Sequence, residues 1–184
     1  EVATVDASGM TGAAGLTLGA SPGITTGVTI TGSPGVDVLY GAAGNDNISA
    51  GAANDSINIG TVQTYDTVDG GAGTDTIVTT ATIASDTVFA GLSNVETLSL
   101  SGAINVTLTA ATQTFATIST ADGGNNVVVL DSSYMGGTGA QTVVMTSDTA
   151  SGDTITNSAG VTLTVYAEIE DLAGAGNTTI TTGA

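Results

Sequence analysis

The chain has 184 residues, enough for one substantial domain or two small ones, and its 17 acids face no Lys, Arg, His, Cys or Trp, for a formal charge of −17. Such a surface repels nucleic-acid backbones and anionic membrane faces, no apolar run approaches membrane-spanning length, and disulfides are impossible. The usual bases, nucleophiles and charge clamps of enzymes are missing too, which leaves a metal cation as the natural partner.

From Glu1 to Thr31 three extended pieces are expected, around Val2–Val5, Leu16–Leu18 and Val28–Ile30, separated by Gly, Ser and Pro turns. Their spacing of about eleven or twelve residues fits irregular leading coils (1–31) of a solenoid; the alternative is a separate small β module ending near Ser33. The start is neither cationic nor followed by an apolar core, so it does not read as a signal peptide. A first residue Glu and the lack of any basic residue point to a fragment of something longer.

A nine-residue phrase then recurs: GSPGVDVLY at Gly32–Tyr40, GAAGNDNIS at Gly41–Ser49, AGAANDSIN at Ala50–Asn58 and GGAGTDTIV at Gly70–Val78. Each copy is a glycine-rich turn, an aspartate, a spacer and an apolar residue, the pattern G-G-x-G-x-D-x-U-x of calcium-binding β-helix repeats. Asp37, Asp46 and Asp55 are nine apart; Asp66 follows after eleven, Asp75 after nine and Asp86 after eleven. Two positions after each comes an apolar residue (Leu39, Ile48, Ile57, Val68, Ile77, Val88), as a strand with one buried face requires.

If each unit supplies one turn and one short strand, two units complete a circuit and alternate aspartates stack. One edge then carries Asp37, Asp55 and Asp75; the other carries Asp46, Asp66 and Asp86. Glycine suits turns whose backbone a Cβ would oppose. Carboxylates and turn carbonyls together offer the six or more hard oxygen ligands that suit Ca²⁺. The candidate metal-site residues are the six aspartates with Gly32, Gly35, Gly41, Gly44, Gly70, Gly71 and Gly73, and Asn45 and Asn54 beside Asp46 and Asp55. The competing role for the same Asp and Asn side chains is to cap backbone turns without metal. Asp69 is off the beat, an outlying partner of the site or plain surface charge.

These repeats resemble the repeats-in-toxin (RTX) family over about a quarter of the chain. The resemblance implies an all-β, right-handed parallel β-roll or β-helix solenoid with Ca²⁺ between turns, and export by type I secretion through an uncleaved C-terminal signal. Gly91-Leu92-Ser93-Asn94-Val95-Glu96-Thr97-Leu98-Ser99-Leu100, with the Ala/Gly/Thr-rich style of the remainder, is similar to RTX-type bacterial surface-layer (S-layer) proteins. The chain departs from the pattern where Ala50 and Ala53 replace glycines and where the Asp66 unit has none, turns expected to be wider or metal-poor.

After the repeat block (32–90), apolar centres continue through Leu98, Val106–Leu108, Ile118, Val127–Val129, Val143–Met145, Ile155, Leu163 and Ile180, so 91–184 is expected to add degenerate coils to one domain spanning 1–184. Thr82–Leu92 has room for one short helical turn, and Asp131–Gly139 reads as a surface excursion. Asp122–Asn126 and Asp148–Asp153 look like relics of the repeat, and Glu168, Glu170 and Asp171 like a solvated face.

Function follows in three readings. The first is an extracellular structural protein, calcium-stabilised and self-assembling into a surface layer or filament on the bacterial cell surface. Its partners would be copies of itself, with cell-surface polysaccharide reached through regions outside this chain. The second is an adhesin or ice-binding module, for which Thr74-Asp75-Thr76, Thr107-Leu108-Thr109 and Thr162-Leu163-Thr164 form no consecutive ladder in the sequence. The third is acid-only polysaccharide hydrolysis by paired carboxylates, disfavoured because the acids repeat and aromatic residues are few. The first fits best, and no enzyme activity is expected.

Overall fold

The structure is a computed structural model that describes residues 3–19, 24–60, 66–83, 85–109, 115–121, 125–134, 140–145, 153–159, 161–166 and 179–182. The chain divides into two compact units, one formed by residues 1–79 and 88–97 and the other by 80–87 and 98–184. Each is a stack of short parallel strands, a β-solenoid, with almost no helix.

The first unit contains β1 (Ala3–Asp6), β2 (Val28–Thr31), β3 (Val38–Tyr40), β4 (Asn47–Ala52), β5 (Ser56–Gly60), β6 (Thr67–Ala72), β7 (Thr76–Thr79) and β8 (Leu92–Ser93). Its strands stack as β1-β2-β4-β6-β8 and as β3-β5-β7. The register follows the repeat, with Leu39 opposite Ile57, Ile57 opposite Ile77, and Ile48 opposite Val68. Two nonapeptides therefore make one coil, and ahead of the longer spacing to Asp66 the β5–β7 register shifts between Asn58 and Gly60, while Asn47 to Ser49 and Thr67 to Asp69 still pair in step. β1 pairs with β2 and β2 with β4, so Ala3–Asp6 and Val28–Thr31 stack in the same sheet as the repeat strands.

Period-two alternation explains the core. Leu39, Ile48, Ile57, Val68 and Ile77 are fully buried, each contributing roughly 1.5–3 kcal/mol by leaving water. Outward residues are half-buried beside Ile57 in β5, shaded by the same position one coil away, but Asn47 and Ser49 of β4 and Thr67 of β6 are exposed. The exception is the Asp86 unit. Its expected inward residue, Val88, is half-buried, and Phe89 is the core residue, because the segment winds into a 3₁₀ turn, Asp86–Gly91, where period two does not apply.

The second unit contains β9 (Thr97–Ser101), β10 (Asn105–Leu108), β11 (Thr117–Ala121), β12 (Val127–Leu130), β13 (Ala140–Met145), β14 (Thr154–Asn157), β15 (Thr162–Tyr166) and β16 (Thr179–Thr182), stacked as β9-β11-β13-β15 and β10-β12-β14-β16. Its core runs through Leu98, Val106, Ile118, Val128, Val143 and Ile155. In the described part of the expected surface excursion Asp131–Ser133 are exposed or half-buried, but Tyr134 turns inward: it is buried and its hydroxyl donates to Gln141 Oε1 at 2.6 Å. Residues 135–139, Asp122–Gly124, Asp148 and the Glu168, Glu170, Asp171 cluster lie outside the described residues. Among the described residues no helix is long and apolar enough to cross a membrane.

Candidate metal centre

Asp37, Asp55 and Asp75 each sit immediately before a strand of the β3-β5-β7 stack, so the strand register places them one above another. The Asp37 N–H donates to Asp55 Oδ1 at 2.8 Å, and the Asp55 N–H to Asp75 Oδ1 at 2.7 Å. Below, the Leu16 N–H donates to Asp37 Oδ1 at 2.6 Å. A second column stands before β4 and β6, where the Val28 N–H donates to Asp46 Oδ1 at 2.9 Å and the Asp46 N–H to Asp66 Oδ1 at 3.0 Å. All five carboxylates are buried.

One oxygen of each carboxylate thus closes the backbone of the adjacent coil, as a turn cap would. The second oxygens differ. Asp37 Oδ2 accepts the Ser33 N–H and Asp46 Oδ2 the Ala42 N–H, at 2.6 and 3.0 Å. Asp55 Oδ2 and Asp75 Oδ2 are buried without a hydrogen-bond partner. A buried carboxylate oxygen left unpaired is costly, and the chain has no Lys or Arg to compensate it. Burial raises the Asp55 carboxyl to about 6, with the Asp37 and Asp75 carboxylates adding to the rise. Burial likewise pushes up Asp46, beside Asp66, and Asp75, beside Glu96 and Asp69.

The glycines make room for this arrangement. Gly32, Gly41 and Gly70 open their repeats, and a Cβ on any of them would run into the second oxygen of the aspartate five residues on, at 2.7 Å for Gly70 and Asp75. Gly71 and Gly73 have φ of +95° and +151°, and side chains there would meet the carbonyls of Gly51 and Ala53 one coil below. Gly35 and Gly44 pack in the same way against the backbone of the leading coils. Ala53 holds the corresponding turn position with φ +78° despite its Cβ. Asn54 Oδ1 accepts the Thr74 N–H at 2.9 Å, while the exposed Asn45 contributes its backbone carbonyl to the contact with Gly27.

Asp86 is the departure from the expected columns. Its carboxylate is buried and accepts the N–H and hydroxyl of Thr109, within the second unit. The register Val68 to Leu92 carries the Asp46–Asp66 column to the Ala90–Gly91 backbone instead. Three members of such ladders were not evident from spacing. Glu96 Oε2 accepts the Asp75 N–H at 2.8 Å, continuing the first column with a longer side chain twenty-one residues on. In the second unit the Ile104 N–H donates to Asn126 Oδ1 at 3.0 Å and the Asn126 N–H to Asp153 Oδ1 at 2.8 Å. These two residues fall in the segments that read as repeat relics, and they keep the ladder geometry at wider spacing.

The donor set fits calcium: it consists of hard oxygens, two of them buried and unpaired. Among the described residues no three acidic side chains form a group able to hold a metal, so an ion in these turns would draw on backbone carbonyls as well. Residues 29–60 and 65–81 match the family model of the RTX calcium-binding nonapeptide repeat, in four copies. No curated protein and no solved structure gives a match to the chain. RTX nonapeptide repeats bind calcium, and they point to a calcium-dependent extracellular protein of structural or adhesin-like type, built on a fold that is structural rather than catalytic.

Proposed function

We propose that the chain is a structural subunit of a bacterial surface layer or filament, exported by type I secretion, in which calcium stiffens the solenoid and permits copies to associate. The observation that carries this reading is the pair of aspartate columns, the first of which holds the buried, unpaired oxygens of Asp55 and Asp75, in a chain with no cationic side chain. Asp37, Asp46, Asp55, Asp66 and Asp75 would hold the ions, with carbonyls of the glycine-rich turns. Bound calcium supplies the missing positive charge and ties adjacent coils together. With the columns neutralised, like-charged copies no longer repel one another as strongly. Copies of the chain are the main partner, cell-surface polysaccharide is met outside it, and nucleic acid, membrane insertion and catalysis have no part.

Electron microscopy of purified protein with calcium, and again after exhaustive chelation, tests the reading. Ordered sheets or filaments are expected only with calcium; assemblies that persist unchanged after chelation would overturn it. One observation favours an adhesin or ice-binding module as a second reading. The registers of β11, β13 and β15 align Thr117, Thr142 and Thr164 in consecutive coils, a short threonine row at half-buried and exposed positions. Inhibition of ice recrystallisation by the non-assembling protein would favour that reading instead.

A further inference from the structure

We infer that Glu96 is a calcium ligand and that it closes the Asp37–Asp55–Asp75 column with an additional ion site, shared between the turn at Gly70–Asp75 and the turn at Asn94–Glu96. The inference rests on the calcium reading above but assigns ligands, Asn94 and Glu96, past residue 81, where the match to the repeat family ends.

Three observations converge on it. Glu96 Oε2 accepts the Asp75 N–H at 2.8 Å, the same bond that Asp75 Oδ1 makes to Asp55 and Asp55 Oδ1 makes to Asp37. Asp75 is fully buried, and its Oδ2 has no hydrogen-bond partner. That oxygen and the Asn94 carbonyl both border the space above Gly70 that a Cβ would fill.

The arrangement at Gly70 repeats one inside the nonapeptide block. Above Gly32 the same two kinds of oxygen meet, the Ala50 carbonyl from the next coil and Asp37 Oδ2 from the same repeat. Asn94 therefore stands where the repeats place the first residue of a turn, although its segment contains none of the repeat's later glycines. Its φ of +52° is held by a hydrogen bond from its Nδ2 to Asp69 Oδ1 at 2.8 Å. Asp69, off the beat of the other aspartates, is thus a positioning residue for the Asn94 carbonyl and adds negative charge nearby. Asp75 Oδ2, the Asn94 carbonyl and the free oxygen of the Glu96 carboxylate supply hard donors of the type Ca²⁺ prefers, with water completing the shell.

Glu96→Gln separates ligation from structure, because the amide oxygen can still accept the Asp75 N–H while the charge is lost. Isothermal titration with CaCl₂ on the full 184-residue chain should show one equivalent fewer for Glu96→Gln than for the unaltered protein. Asp131→Asn, an equal charge change far along the sequence, should keep every equivalent. Melting in chelator should be unchanged or slightly raised for Glu96→Gln, showing that the fold is intact. A Glu96→Gln protein with full stoichiometry and unaltered affinities would overturn the assignment while leaving calcium binding by the repeats in place. Failure of the unaltered chain to take up calcium would overturn both.

Discussion

The Asp55 N–H donates to Asp75 Oδ1 at 2.7 Å, while the other oxygen of the same carboxylate is buried with no hydrogen bond. Half of one side chain thereby closes the adjacent coil, and half is left without a partner. Capping and the proposed metal binding, which compete as explanations when only the sequence is considered, therefore call on different atoms of one residue and need not exclude each other.

Substitution of the column should separate the two. Asp55→Asn retains an acceptor for the Asp37 N–H and removes the charge, so in calcium-free buffer it is expected to be at least as stable as the unaltered protein. In calcium it should lose the binding contribution, about 2.7 kcal/mol per site at a hundredfold excess over Kd. Asp37→Asn should lose less, because both Asp37 oxygens already accept hydrogen bonds, from Leu16 and Ser33. Thermal unfolding of both variants across a calcium titration decides the matter; stability unchanged by calcium and alike in both variants would show that the column only caps turns, since the amide oxygen still accepts the capping hydrogen bond.

The pH dependence should reverse sign with calcium. The Asp55 carboxyl titrates near 6 in the folded protein against an ordinary 3.8, so between these values the folded form binds more protons than the unfolded chain. Without calcium, the destabilisation is fully present above about pH 6 and is relieved as pH falls toward 4. Burial of Asp46 and Asp75 acts in the same direction. With saturating calcium, protons compete with the ion and the melting temperature should fall over the same range. Melting curves from pH 7 to pH 4 in both conditions give the answer, and parallel curves would remove the ion from the account.

Much of this was legible in the sequence, for a physical reason: a stacked fold repeats its constraints. Each of Leu39, Ile48, Ile57, Val68 and Ile77 meets the same narrow interior, so the nine-residue beat records the strands, their register and the first aspartate column directly. The beat fails where local geometry changes. Asp86 keeps the spacing but begins a 3₁₀ turn, and counting alone assigns it to a column it does not join. Glu96 and Asn126 keep the ladder but break the spacing and the residue type, since an intervening loop can lengthen without moving the strands it connects. The unpaired second oxygens were beyond the reach of a pattern, because they depend on whether a nearby N–H such as that of Ser33 or Ala42 reaches the carboxylate.

The turn at Ala53 supplies the last prediction. Ala53 has φ +78°, where the equivalent residues of the neighbouring repeats are Gly44 and Gly73, with φ +113° and +151°. A left-handed conformation costs a residue with a Cβ roughly 1–2 kcal/mol. Glycine removes that cost but loses about 0.5–1 kcal/mol through its freer unfolded chain. Ala53→Gly should therefore stabilise the protein by about 0.5–1 kcal/mol, a rise in Tm of about 2–4 °C per kcal/mol for a chain of this size. The reciprocal change, Gly73→Ala, should destabilise by roughly 1–3 kcal/mol, since its Cβ would meet the Ala53 carbonyl and, at 3.0 Å, Asn54 Oδ1. Differential scanning calorimetry of both variants in calcium-free buffer isolates the backbone effect from the ion. A loss of stability in Ala53→Gly would mean that the alanine methyl contributes packing worth more than the strain of its turn.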